Sequence, residues 1–175
     1  MKKINKKKGI VFWVTGLPGS GKTSVAIKLK KPIEKIYGKT ILFSGDDLRK
    51  ISDFKNYDVK SRYLYAKSYS KLVKYISNQN INVIIATVSL FEKIHIWNRK
   101  NITNYCEVFI KSKTQEIIKN KKKRLYFKFK KNLVGIDIKP EFPDNSDIKV
   151  LNNFKKPTND LSNSIFKKIK LLYKK

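Results

Sequence analysis

A chain of 175 residues, 41% of them apolar, is long enough for one well-packed domain, too short for two ordinary ones, and too apolar for disorder to be the default. Its single cysteine excludes an internal disulfide framework, and no apolar run approaches the ~18–20 residues of a membrane span. The formal charge of +28 implies a field that attracts nucleotides, nucleic acids or acidic surfaces, yet the surplus is almost all lysine spread along the chain, as on a solvated surface, rather than a clustered nucleic-acid footprint.

The start, MKKINKKKGIVFWVTG, looks like a signal peptide only superficially: the apolar stretch breaks at Gly16 and has no small-residue cleavage pattern. The chain is therefore expected to be cytoplasmic, with no membrane segment. Residues 10–15, IVFWVT, are continuously apolar and rich in β-branched and aromatic residues, as in a buried parallel strand. From Lys22 to about Ile36 the period turns helical, with Pro32 expected to kink or split the helix and Gly38 suited to its end. TILFS (40–44) reads as a second strand, residues 58–79 as a long amphipathic helix, and NVIIAT (82–87) as a third strand. FEKIHIWNRKN reads as a loop plus a short helix, and CEVFI (106–110) as a fourth strand with Cys106 in its core. A helix is expected over about Thr114–Lys123, a last strand at IKVL (148–151), and a C-terminal helix capped near Thr158–Asp160 with Leu161, Ile165, Ile169 and Leu172 on one face. Stretch 121–145, basic and aromatic and then rich in Gly, Pro and Asp, fits neither period and is expected to be a mobile loop region. Alternating strands and helices predict an α/β fold with a central parallel sheet and helices on both faces, residues 1–175 forming a single domain.

Residues 16–23, GLPGSGKT, fit G-x-x-x-x-G-K-[ST] and sit between a buried strand and a helix, where that phosphate-binding loop belongs. Gly16, Gly19, Ser20, Gly21, Lys22, Thr23 and Ser24 are thus the candidate nucleotide-binding residues. The glycines let backbone N–H groups approach phosphate oxygens, Lys22 reaches the β- and γ-phosphates of ATP, and the Thr23 hydroxyl is a ligand for Mg²⁺. The third strand lacks the acidic residue of an ordinary Walker-B strand. A carboxylate appears instead in FSGDDLRK, where Asp46 or Asp47 can hold Mg²⁺ through water or accept a proton from an attacking hydroxyl; the other reading of Asp47 is a helix N-cap. Arg49 suits an anionic acceptor. The chain has only four arginines, Arg49, Arg62, Arg99 and Arg124, each read either as a bidentate anion site or as a structural ion pair. His95 has no second metal ligand nearby in the sequence, so a metal role is not expected of it.

FWVTGLPGSGKT followed by SGDDLR resembles the adenylylsulfate kinase family, with its WxTGLSGxGKST and DGDxxR. TVSLFEKIHIWNR (87–99) is similar to that family's ISPYxxxRxxxR segment, KRLYFKF (123–129) to KGLYKKA, and GIDIKPEFP (135–143) to GIDxPYExP. The resemblance covers nearly the whole chain and implies a P-loop kinase that uses MgATP to phosphorylate the ribose 3′-hydroxyl of a nucleotide carrying a charged group on its 5′-phosphate. It implies catalytic roles for Asp46 and Lys22, magnesium ligation by Thr23 and Asp46, and acceptor binding by Arg49, Arg62 and Ser89. Lys123 and Leu125 fall in a segment that the resemblance reads as a lid, spanning about 121–145, which closes over both nucleotides. Related kinases are often dimers, so a homodimer is possible.

The departures fall on the acceptor side. The first aspartate of DGD is Ser44, the proline of ISP is Leu90, and the asparagine expected three positions after Arg62, a polar contact to the acceptor, is Tyr65. The segment whose phenylalanine stacks on the acceptor adenine is shortened to KKNLV. Losing both a polar base contact and a stacking ring should change the base preference. That pattern resembles the branch of the family acting on cytidine diphosphoramidate in bacterial capsule phosphoramidate biosynthesis. Adenylyl sulfate is the alternative acceptor. A P-loop ATPase or polynucleotide kinase holding a strand on its basic surface, with RLYFKFKK (124–131) as the contact, is the rival from another class, and a catalytically silent nucleotide sensor is a third.

Overall fold

The computed structural model describes residues 2–122 and 132–173. Strand β1 (Val11–Gly16) is buried along its whole length, as a continuously apolar strand must be when helices cover both faces of its sheet. Helix α1 (Lys22–Tyr37) follows, then β2 (Thr40–Ser44), α2 (Gly45–Ile51), α3 (Val59–Ser77), β3 (Asn82–Thr87), α4 (Glu92–Asn101) and β4 (Tyr105–Lys111). A short helix α5 (Thr114–Ile117) widens into a π turn over Ile118–Lys122, and β5 (Ile148–Leu151) and α6 (Thr158–Leu172) complete the described elements. The five strands form one parallel sheet in the order β2-β3-β1-β4-β5. Among the described residues no helix is long and apolar enough to cross a membrane.

The period of two in β1 divides the core. Phe12 and Val14 pack with Leu29 and Ile33 of α1 and Ile165 and Ile169 of α6 on one face. Val11 and Trp13 pack with Tyr69 and Val73 of α3 and Ile94 of α4 on the other. Each such fully buried aliphatic or aromatic side chain contributes about 1.5–3 kcal/mol of transfer free energy. A third cluster, Leu17, Leu90, Phe109, Ile117 and Val134, closes the end of the sheet at which β1 and β4 finish.

Four expectations are corrected. Pro32 does not split α1, which runs unbroken from Lys22 to Tyr37. Leu29 and Ile33, at 1% and 0% exposure, clamp the helix to the sheet on both sides of the missing N–H. Where a loop plus a short helix is expected, segment 92–101 is helical throughout, and its His95 is buried and hydrogen-bonded to Glu107 at 2.7 Å. The helix expected to reach Lys123 leaves α geometry at Ile117, and a π turn continues it to Lys122. The C-terminal helix starts at Thr158 as expected, but Pro157 holds the cap position and no side chain caps it.

Candidate active site

The phosphate loop leaves β1 at Gly16, where φ is 152° and an added Cβ would lie 2.5 Å from the carbonyl oxygen of Ile110 on neighbouring β4. Only glycine lets the two chains approach that closely. Gly21 caps α1 in the left-handed region, at φ 92°, and supplies no side chain, so the first-turn N–H groups of the helix meet no side-chain acceptor there. Lys22 begins the helix; it is buried, and its Nζ donates to the carbonyl of Leu17 across the loop at 2.6 Å. Ser20 is buried, while Thr23 and Ser24 are exposed. Gly19, Gly21, Lys22, Thr23 and Ser24 line one cavity.

A second cavity adjoins the first. Arg49, Tyr65, Tyr69, Ser89 and Leu90 line it, with Val134 and Ile138 from the chain beyond residue 132. Gly45, Asp46, Tyr57, Arg62, Thr87 and Val88 line both. Asp46 is therefore a shared wall, and local chemistry frees it for that place. Ser44 caps α2: its hydroxyl accepts from the Asp47 N–H at 3.1 Å and donates to the Asp47 carboxylate at 2.6 Å. Asp47 is thus spent on the cap, although the cap residue is Ser44 and not Asp47. Thr87 packs closely on Gly45, and its Oγ1 would lie 3.2 Å from an added Cβ. Thr87 Oγ1 in turn shares a hydrogen bond with Ser89 Oγ at 2.9 Å.

The second cavity is cationic. Arg49 donates to the carbonyls of Phe54 and Asn56, at 3.3 and 2.7 Å, and its guanidinium lies over the rings of Tyr57 and Tyr65, at 4.2 and 4.8 Å. Arg62 donates to the carbonyls of Tyr57 at 2.7 Å and Asn132 at 2.9 Å. Neither appears in an ion pair among the described residues, whereas Arg99 pairs with Glu107 and Asp147, each at 3.2 Å, and is a structural arginine. Burial, and after it the positive charge of Arg49, lowers the pKa of Arg62. Burial also pushes Tyr69 up to about 12, against the pull of Arg49. Two cations held together on carbonyls and ring faces make a site for an anion.

Of the sequence candidates, Asp46, Arg49, Arg62, Tyr65 and Ser89 converge on this cavity, and the glycine-rich loop residues on its neighbour. Tyr65 is stacked on Phe54 at 4.0 Å between ring centroids and 7° between planes. Lys123 and Leu125, like part of the expected lid, lie outside the described residues. From the described end of that stretch Leu133, Val134 and Ile138 reach the two cavities, and beyond them Glu141 accepts from the first N–H of α4. Sequence reasoning missed Tyr57, Thr87 and Phe54. Tyr57 had a signal, an aromatic just before a helix Asp-cap; Thr87 and Phe54 had none. Cys106 is fully buried in β4, and burial pushes its thiol far up, as for a core residue.

A family model for adenylylsulphate kinase matches residues 8–151. The chain is 34% identical over 174 residues to the cytidine diphosphoramidate kinase of Campylobacter jejuni, covering 97% of this chain and 98% of that one. It is 31% identical over 154 residues to the adenylyl-sulfate kinase of Clostridium acetobutylicum, covering 85% and 77%. The APS kinase of Mycobacterium tuberculosis, solved in complex with AMPPNP and APS, superposes with a TM-score of 0.81 at 21% identity, covering 93% of this chain and 98% of that one, and so shares the P-loop kinase fold. A match over residues 8–151 takes in both cavities, and on that ground the chain belongs to the adenylylsulphate kinase family and is a nucleotide kinase.

Proposed function

We propose that this kinase transfers the γ-phosphoryl group of ATP to the ribose 3′-hydroxyl of a nucleotide whose 5′-phosphate carries a further charged group, and that the acceptor is cytidine diphosphoramidate. The observation that carries the reading is the position of Asp46 on the wall common to the glycine-loop cavity and the arginine cavity. A carboxylate between a phosphate cradle and an anion site can orient an acceptor hydroxyl and take its proton as the phosphoryl group arrives. In this reading the loop N–H groups and Lys22 hold the donor phosphates, and Lys22 exchanges the Leu17 carbonyl for phosphate oxygens. Arg49 and Arg62 bind the acceptor's charged groups, Ser89 and Tyr65 contact the acceptor, and Lys123 and Leu125 belong to the segment covering it.

The Thr23 hydroxyl and the Asp46 carboxylate, hard oxygen donors that line the same cavity, fit Mg²⁺, which when bound neutralises charge on the donor phosphates. The cytidine acceptor is supported by the near full-length likeness to the Campylobacter enzyme and by the place of Tyr65, whose ring is pinned between Phe54 and Arg49 in the acceptor cavity. Adenylyl sulfate is the second reading, favoured by the family model and the Clostridium relative. ADP release with MgATP and each acceptor, against a Lys22→Ala blank, decides between them. We expect kcat/KM for cytidine diphosphoramidate to exceed that for adenylyl sulfate by at least about a hundred-fold, the scale set by a lost polar contact. Equal rates, or a preference for adenylyl sulfate, reject the cytidine acceptor, and no turnover with either rejects the nucleotide 3′-kinase.

A further inference from the structure

The peptide between Ser20 and Gly21 is held from behind by a residue remote in sequence. Asn152, one position beyond the edge strand β5, donates through Nδ2 to the carbonyl of Ser20 at 3.0 Å. The same amide nitrogen lies 3.1 Å from where a Cβ on Gly21 would sit, so it rests directly against that peptide. Asn152 is itself fixed on three other sides. Its N–H donates to the Lys111 carbonyl at 2.8 Å, and its own carbonyl accepts from Ser112 Oγ at 2.8 Å. Its Oδ1 accepts from the Phe154 N–H at 3.1 Å. The amide is thus oriented by β4, by β5 and by the turn that follows, with Nδ2 left for the loop.

In a trans peptide the C=O and the following N–H point in opposite directions. Fixing the Ser20 carbonyl toward Asn152 therefore turns the Gly21 N–H away from it. Gly21 lines the cavity that Lys22 and Thr23 also line, whereas Asn152 is not among the described residues lining it. We infer that Asn152 is a positioning residue for the donor site: it sets the orientation of the Ser20–Gly21 peptide, and so the aim of a backbone donor at the phosphates, without touching the nucleotide. Gly21, with neither a side chain nor a restricted φ, has little of its own to hold that orientation.

This inference rests on the reading of the glycine-rich loop as the nucleotide-donor site, and the test separates the two. MgADP affinity is measured by calorimetric titration for the wild-type protein, Lys22→Ala, Asn152→Ala and Asn152→Ser, with a thermal melt of each. The serine variant can still accept from the Phe154 N–H, as Ser side chains do in turns, but is too short to reach Ser20. Both Asn152 variants should bind MgADP about five- to ten-fold more weakly, the effect of one neutral hydrogen bond. In turnover by the Asn152 variants KM for ATP should rise with KM for the acceptor unchanged. A residue that merely held the end of β5 would instead lower the melting temperature and leave the affinity of the folded protein intact. Wild-type MgADP affinity in both Asn152 variants overturns this inference alone. No MgADP binding by the wild-type protein overturns the donor-site reading and this inference with it.

Discussion

Lys22 and Asp46 are separated by burial as well as by role. Lys22 is 7% exposed and held on a loop carbonyl, while Asp46 is exposed on the common wall of the two cavities. Removing either should cost turnover through charge stabilisation rather than through the fold. Lys22→Ala and Asp46→Asn are each expected to lower kcat by roughly a hundred- to a thousand-fold, as loss of a preorganised electrostatic group does. Melting temperatures should stay within a few degrees of wild type. A fall in activity that only tracks a fall in melting temperature would contradict the assignment. The neighbouring pair Ser44 and Asp47 shows why this site is only half legible in the letters DD. Two adjacent aspartates carry equal chemical promise, and it is the cap bond from Ser44 that commits Asp47 to structure while Asp46 lines both cavities.

At the scale of elements, α1 presents the clearest contest between local preference and tertiary packing. Pro32 removes the donor to the Lys28 carbonyl in mid-helix, a local cost of about 3 kcal/mol, and part of it is recovered because proline also restricts the unfolded chain. Pro32→Ala should therefore stabilise the protein by ~1 kcal/mol, raising the melting temperature by about 2–4 °C. A lower melting temperature would show that the ring's packing outweighs the missing bond. The same contest explains what the sequence discloses. Strands β2, β3 and β5 occupy the residues that their runs TILFS, NVIIAT and IKVL predict, because a short β-branched run bounded by polar residues has no competing period. Helix α2 has only seven residues and one buried side chain, Leu48, so no periodicity announces it. The glycine-rich loop was legible because its chemistry is local. The cage of Tyr57 and Tyr65 around Arg49, and the hold of Asn152 on Ser20, join residues that are distant or featureless in sequence, and no spacing encodes them.

For the whole molecule the charge of +28 is the strongest influence beyond the fold. Its surplus lies mostly in lysines dispersed along the chain, whereas Arg49 and Arg62, outside any ion pair among the described residues, are concentrated in one cavity. A dispersed positive field speeds the approach of an anionic acceptor and is screened by salt, since the Debye length shrinks to about 3 Å at 1 M. We expect kcat/KM for the acceptor to fall about ten-fold between low salt and 0.5 M, with kcat nearly constant. Tight polynucleotide binding with a steep salt slope would instead favour the strand-holding alternative. The strand order also bears on how the molecule comes into being. Val11 of the central strand pairs with Val83 and with Tyr105, 72 and 94 residues downstream. During synthesis from the N-terminus, the glycine-rich loop emerges before either neighbour of its strand, and before Asn152 by a longer interval still. The nascent polypeptide therefore carries its central strand without one of its two neighbours until β4 has emerged, and the glycine-rich loop gains its last support only when Asn152 follows.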